Sequence, residues 1–303
     1  MTKKLEEGGI RQANESLHAV EDQGMGMNNI RRLAFIGGGN MAAALIGGLT
    51  KRGLPSERVV VADPSPEQLQ KLVRDYGVKT AADNASAVQG AEVVVLAVKP
   101  QQMRAVALGL APHMAEAHPL LISVAAGIPH AALARWFGPR VPVIRTMPNR
   151  PALNGFGATG LFAPANVGAA NRALAEMIMA AVSATVWVEH ESQMDTVTAL
   201  SGSGPAYFFL FMEALEAAAH ERGLPSDVAH QLTLETAFGA AQMARQSTES
   251  LATLREQVTS KGGTTAAALA VLDAAGLRAI VAHAVAAADR RSAELAAEYG
   301  GAP

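Results

Sequence analysis

Residues 37–42, Gly-Gly-Gly-Asn-Met-Ala, spell the pattern G-x-G-x-x-A. Gly37 permits a tight turn, and Gly39 lets the backbone approach a pyrophosphate. Ala42 is small enough for a following helix to lie close on the preceding strand. The free N–H groups and positive dipole end of such a helix face the phosphates. Glycine turns also serve purely structural ends, so the flanks decide. An apolar run, Leu33–Ile36, leads in and an alanine-rich stretch leads out. Roughly twenty residues later, Asp63 closes a second apolar run, where a carboxylate can accept hydrogen bonds from an adenosine ribose. The residues read as a dinucleotide site.

Two later segments place hydroxyls and glycines ahead of apolar runs. Residues 198–207 read Thr-Ala-Leu-Ser-Gly-Ser-Gly-Pro-Ala-Tyr, a small flexible loop feeding an apolar helix. Pro205 suits a first helical turn, and Ser203 is placed to cap it. Serine at 201 rules out a G-x-S-x-G nucleophile elbow. Residues 258–265 read Val-Thr-Ser-Lys-Gly-Gly-Thr-Thr. Glycines, hydroxyls and free helix N–H groups together make a pocket for a small anion such as a carboxylate. The lysine precedes the glycines, so this is no Walker A loop. By spacing alone, both segments read equally well as ordinary helix joints. The chain has no cysteine, which excludes disulfides, thiolate metal sites and a cysteine nucleophile. His190-Glu191 continues to Met194 and not to a second histidine, so the zinc-protease spacing is absent.

A scaffold must bring these residues together. Apolar strands at 33–36, 59–62, 92–98, 120–124 and 141–146 alternate with helical runs, one of them Pro66–Tyr76 ending at Gly77, up to about residue 187. That alternation predicts an α/β fold with a doubly wound sheet, whose ligands lie outside the carboxyl ends of the strands. Lys99, residues 123–127 and residues 147–149 fall at those ends. From residue 189 the pattern is helical: 194–200, 206–222, 226–246, 264–275 and 277–299. The last of these places Leu277, Ile280, Val281, Ala284, Val285, Ala288 and Leu295 on one face. Small residues dominate this half, which suits burial in a partner subunit.

At 303 residues the chain has room for two domains. We expect a disordered polar extension at 1–30, a dinucleotide-binding domain at 31–187 and a helical domain at 188–303. Met25 and Met27 are candidate alternative starts. A net charge of −2 gives no electrostatic reason to expect nucleic acid or an acidic membrane. No run reaches the roughly 18 apolar residues of a membrane span. The expected location is cytoplasmic.

Five segments together resemble the pyrroline-5-carboxylate reductase family. They are residues 36–41, 97–101, 145–149, 194–207 and 258–265, and the likeness extends from Arg32 to about Leu295. The resemblance implies an N-terminal Rossmann-type doubly wound sheet followed by an all-α dimerisation domain. It implies reduction of 1-pyrroline-5-carboxylate to L-proline, the last step of proline biosynthesis, with NADPH or NADH. It also implies a homodimer or higher homo-oligomer whose pocket can include a neighbouring chain. By motif match, Gly37, Gly38, Gly39, Asn40, Met41, Lys99, Pro100, Ala125, Ala126 and Gly127 hold pyrophosphate and nicotinamide, alongside Asp63 on the ribose. Ser260, Gly262, Gly263 and Thr264 meet the substrate carboxylate, and Thr265 hydrogen-bonds the ring nitrogen.

The chemistry of the residues agrees. A protonated imine is already electrophilic, so its reduction asks for orientation, an anchor for the carboxylate and a proton for nitrogen. Three positions depart from the family pattern: Lys261 replaces the usual proline, Arg150 the usual threonine, and Thr248, beside Glu249, a carboxylate found in some relatives. A 3-hydroxyacid dehydrogenase of similar architecture would need a lysine early in the second domain. Between Asp195 and Thr259 there is none. A dinucleotide-binding redox sensor without turnover would need a DNA-binding helix or basic stripe, which the sequence lacks. Asp63 favours NADH, whereas Lys51, Arg52 or Arg58 folding over a 2′-phosphate would favour NADPH.

Overall fold

The computed structural model describes residues 27–301. Most of the polar extension expected at 1–30 lies outside them. Its last residues are ordered. Met27–Asn29 form a 3-10 turn, and Ile30, only 2% exposed, joins the core beside the first strand.

Eight strands form one sheet: β1 (Leu33–Ile36), β2 (Val59–Ala62), β3 (Lys79–Thr80), β4 (Val93–Leu96), β5 (Leu120–Ser123), β6 (Val143–Met147), β7 (Gly157–Phe162) and β8 (Ser183–Trp187). Their order is β3-β2-β1-β4-β5-β6-β7-β8, and every pair is parallel except β6 with β7. The connecting helices are α1 (Asn40–Lys51), α2 (Pro66–Tyr76), α3 (Asn84–Val88), α4 (Pro100–Met114), α5 (His130–Phe137) and α6 (Ala169–Ala180). Parallel strands covered on both faces need apolar residues at every position, which is why β1, β2 and β4 read as unbroken apolar runs. Their side chains still alternate. Leu33, Phe35, Val93 and Val95 pack with Leu45, Ile46 and Leu49 of α1 on one face. Ala34, Ile36, Val94 and Leu96 pack with Met103, Ala107 and Leu110 of α4 on the other.

Strand β7 carries no apolar run to announce it. Its two glycines serve close approach: a Cβ on Gly157 would lie 2.2 Å from Ser183 Oγ, and one on Gly160 2.6 Å from Val197. Neighbours on both sides make it a strand.

The chain divides into two compact units. One runs to Gly202 and takes up the chain again from Ala288; the other is Ser203–Ala287. The first also holds the short helix α7 (Gln193–Val197), which continues into a π-helical turn, Thr198–Gly202. The second is helical: α8 (Gly204–Glu221), α9 (Ser226–Gln246), α10 (Leu251–Gln257), α11 (Thr264–Ala274) and the start of α12 (Leu277–Gly300). Short α10 was not evident from periodicity; Ser250 starts it by accepting the Thr253 N–H at 3.1 Å. The apolar face expected on α12 is only partly covered by its own chain: Ile280 and Val281 are 57% and 50% exposed, whereas Leu295 is half-buried, and the buried side chain of that helix is Ser292. No single described helix is long and apolar enough to cross a membrane.

Candidate active site

The sheet order reverses between β1 and β4, and a crevice opens at the carboxyl ends of strands around such a point. Gly37 lies there. Its φ is +95°, a left-handed conformation that favours glycine, and a Cβ would stand 2.6 Å from the Ala97 carbonyl oxygen. Its N–H donates to the Ala62 carbonyl at 2.8 Å, locking the turn onto β2. A Cβ on Gly38 would meet Leu72 at 2.9 Å, so Gly38 is constrained by helix packing. Nothing lies within 4 Å of the space a Gly39 side chain would take. Gly39 also starts α1 without a side-chain cap, and the first intrahelical bond is Ala43 N–H to the Gly39 carbonyl, 2.9 Å. The amides of Asn40, Met41 and Ala42 therefore precede the helical ladder, beside open space. This suits a phosphate.

Asp63 stands beside this turn as a brace. One carboxylate oxygen accepts the Gly38 N–H at 2.7 Å, and the other accepts the Ser65 N–H at 2.8 Å. Each oxygen keeps a lone pair for a ribose hydroxyl. Gln68, from the first turn of α2, donates to the Gly38 carbonyl. No local spacing could have revealed Gln68, because its partner lies thirty residues away in sequence. The three basic residues considered for a 2′-phosphate do not reach this corner. Lys51 and Arg52 stand at the far end of α1, roughly 16 Å along its axis from the turn. Arg58 precedes β2, roughly 16 Å from Asp63 along the strand, and donates to the Ile30 carbonyl at 3.1 Å.

Lys99 and Pro100 follow β4. Lys99 is exposed at the start of α4, with Pro100 as the first helical residue. Residues 125–127 follow β5, where Gly127 has φ +69°. Gly127 serves packing too, since a Cβ there would sit 3.3 Å from Leu295 of α12. Register aligns these ends: Ile36 faces Ala62 and Leu96, Leu96 faces Ser123, and Ser123 faces Arg145. Gly37, Asp63, Lys99 and Ala125 thus share one edge of the sheet. Arg145, 4% exposed, is neutralised by Glu191 at 2.9 Å, and the same carboxylate oxygen receives the His130 N–H at the start of α5. Burial lowers the pKa of His130, opposed by the Glu191 carboxylate and assisted by Arg145.

After β6, Asn149 is a latch between strands and helices. Its amide donates to the Ser201 carbonyl at 3.0 Å, and its oxygen accepts the Ala158 N–H at 2.9 Å. The segment expected to be a flexible loop is instead the π-helical turn, held by Thr198 Oγ1 on the Met194 carbonyl and Ser201 Oγ on the Val197 carbonyl. Hydroxyls bonding back one turn supply the bonds that a loop would lack. Ser203 occupies the cap position of α8 but makes no side-chain capping bond.

The second group of candidate residues belongs to the other compact unit. Gly262 has φ +72°, and the Gly263 N–H donates to the Ser260 carbonyl at 3.0 Å. A Cβ on Gly263 would stand 2.4 Å from Ser260 Oγ, so the glycine makes room for that hydroxyl. Gly263 starts α11 with no side-chain cap, and the first ladder bond is Ala267 N–H to the Gly263 carbonyl, 3.2 Å. Thr264, Thr265 and Ala266 thus contribute amides ahead of the ladder. A small carboxylate complements such an arrangement. Lys261 is exposed beside it.

Comparisons with known proteins match ranges that include residues of both groups. A family model described as pyrroline-5-carboxylate reductase dimerisation matches residues 191–295. A second, described as NADP oxidoreductase, coenzyme F420-dependent, matches residues 32–127. The pyrroline-5-carboxylate reductase of Pseudomonas aeruginosa is 49% identical over 269 residues, covering 89% of this chain and 98% of that protein. The solved structure of a pyrroline-5-carboxylate reductase from Coxiella burnetii matches with a TM-score of 0.85 at 43% identity, covering 88% of this chain and 99% of that one. The Plasmodium falciparum enzyme, solved with NADP bound, matches with a TM-score of 0.78 at 29% identity, covering 89% and 100%. With likeness of this depth running from the glycine turn to the helical half, the chain belongs to the pyrroline-5-carboxylate reductase family.

Proposed function

We infer that this chain reduces 1-pyrroline-5-carboxylate to L-proline with NAD(P)H, the last step of proline biosynthesis. The observation that carries the reading is the shared sheet edge of Gly37, Asp63, Lys99 and Ala125, with open space and uncapped amides at Gly39. When bound, NAD(P)H supplies the hydride that the imine carbon receives. The chain's residues do the rest. Residues 37–41 bind the pyrophosphate through backbone amides, and Asp63 accepts from the adenosine ribose. Lys99, Pro100 and residues 125–127 flank the nicotinamide. Ser260, Gly262, Gly263 and Thr264 grip the substrate carboxylate, and Thr265 Oγ1 holds the ring nitrogen as it becomes an amine. Neither a nucleophile nor a metal is required, because the protonated C=N is the electrophile and the work is orientation.

On this reading, residues 31–187 carry the cofactor, and residues 188–303 carry the substrate grip and the dimer contact. The functional form is a homodimer or larger homo-oligomer in the cytoplasm, acting on a small molecule with no nucleic-acid or membrane partner. The helical half supports association: Phe208, Phe209 and Leu210 are each at least 64% exposed in the single chain. Loss of reduced-nicotinamide absorbance on adding 1-pyrroline-5-carboxylate, with proline as product, is the test. Purified protein that binds NADPH yet leaves it unoxidised would overturn the assignment.

A further inference from the structure

The carboxyl half of α12 belongs to the same compact unit as the sheet and contacts residues that follow β4 and β5. Two hydrogen bonds fix it to α7: Thr196 Oγ1 donates to Asp289, and Ser292 Oγ donates to Asp195, both at 2.7 Å. One turn on, Leu295 packs against Gly127. Near the helix end, Gln101 Nε2 donates to the Tyr299 hydroxyl at 3.0 Å, and the Tyr299 ring packs on the second face of the core. Arg135 of α5 donates to the Gly300 carbonyl at 2.9 Å. Gln101 directly follows Lys99 and Pro100. The end of α12 therefore touches Gly127 of one segment assigned above to the nicotinamide and the residue directly after the other.

We propose that the end of α12 is a positioning element for the nicotinamide half of the cofactor. Tyr299 holds Gln101, and with it the start of α4, while Leu295 backs Gly127. The proposal rests on the assignment of Lys99, Pro100 and residues 125–127 to the nicotinamide. Its physical basis is preorganisation: segments held before the ligand arrives lose less freedom when it binds. Neither Tyr299 nor Gln101 touches the cofactor in this scheme; both act through the residues beside them. The Gln101–Tyr299 contact is partly solvated, so its effect is that of one modest neutral hydrogen bond.

The test is a double-mutant cycle on the full-length protein with Gln101→Ala and Tyr299→Phe, both conservative enough to leave the core intact. NADPH and ADP-ribose, which lacks the nicotinamide, are titrated against each variant, and thermal midpoints are recorded. Each single change is expected to raise the Kd for NADPH about threefold to tenfold, with the double variant no weaker than the weaker single. ADP-ribose binding and the KM for pyrroline-5-carboxylate should stay within about twofold of the parent. Unchanged NADPH affinity, effects that multiply in the double variant, or equal losses for ADP-ribose would each overturn the proposal. A parent that binds neither NADPH nor NADH overturns the reading of the site itself, and the proposal with it.

Discussion

Asp63 combines a structural and a chemical task in one carboxylate. Its oxygens hold the Gly38 and Ser65 amides, and their remaining lone pairs face the proposed ribose corner, with Lys51, Arg52 and Arg58 all at the opposite ends of their elements. In Asp63→Asn an NH2 group replaces one acceptor, and the negative charge is gone. KM for NADH should rise about tenfold, the worth of one charge-assisted hydrogen bond. KM for NADPH should rise less, because repulsion of a 2′-phosphate is relieved. Steady-state kinetics with both cofactors decide it; equal factors would reduce Asp63 to a brace. Thr265 poses a simpler question. It sits in the first turn of α11, partly buried, where a hydroxyl can meet a ring nitrogen held by the neighbouring amides. Thr265→Ala should lower kcat/KM about tenfold or more while the Kd for NADPH stays near the parent value. Thr265→Ser should recover most of the loss. Unaltered kinetics in the alanine variant would remove Thr265 from the mechanism.

Among the elements, the start of α5 is tied to the sheet through one ion pair. Glu191 receives both the His130 amide and the buried Arg145 guanidinium, and the His130 ring lies edge-on to Phe162 at 6.1 Å. Burial holds the pKa of that ring below its ordinary value of 6.5 in the folded chain, opposed by Glu191 and assisted by Arg145. Above that value both folded and unfolded chains carry a neutral ring, and pH has no effect through it. Below it the unfolded chain takes a proton that the fold resists, so stability falls as pH drops through 6.5. His130→Gln should flatten the slope from about pH 6.5 down to about pH 5, read as denaturant midpoints. An unchanged slope would place the titration elsewhere. The same elements show what was legible beforehand. Strands β1, β2 and β4 are continuous apolar runs and declared themselves; so did the glycine turn, whose constraints are local. Strand β7, with two glycines in six residues, depends on neighbours distant in the chain. Gln68, Asn149 and Tyr299 act on partners 30, 52 and 198 positions away, separations that leave no periodic trace.

For the molecule as a whole, the decisive quantity is apolar surface that one chain leaves uncovered. Phe208, Phe209, Leu210 and Phe211 are consecutive on α8, so they point around its full circumference, yet they are 71%, 64%, 67% and 47% exposed. A soluble helix that is apolar on every side belongs in an interior. Leu232 and Phe238 of α9 are also 54% and 58% exposed, and His230 ties that helix to α8 through Glu216 at 2.8 Å. Contiguous patches of this kind mark interfaces, and burying one large apolar side chain contributes about 1.5–3 kcal/mol. A few such residues from each copy offset much of the cost of association. Light scattering at micromolar concentration should therefore give at least twice the mass of one chain. Phe209→Glu would place an unpaired carboxylate in that interface at a cost of several kcal/mol, so the variant should lose assembly, lower its thermal midpoint and lose activity together. A parent that is monomeric and fully active at that concentration would show that α8 finds its cover elsewhere, and the dimer reading would fall.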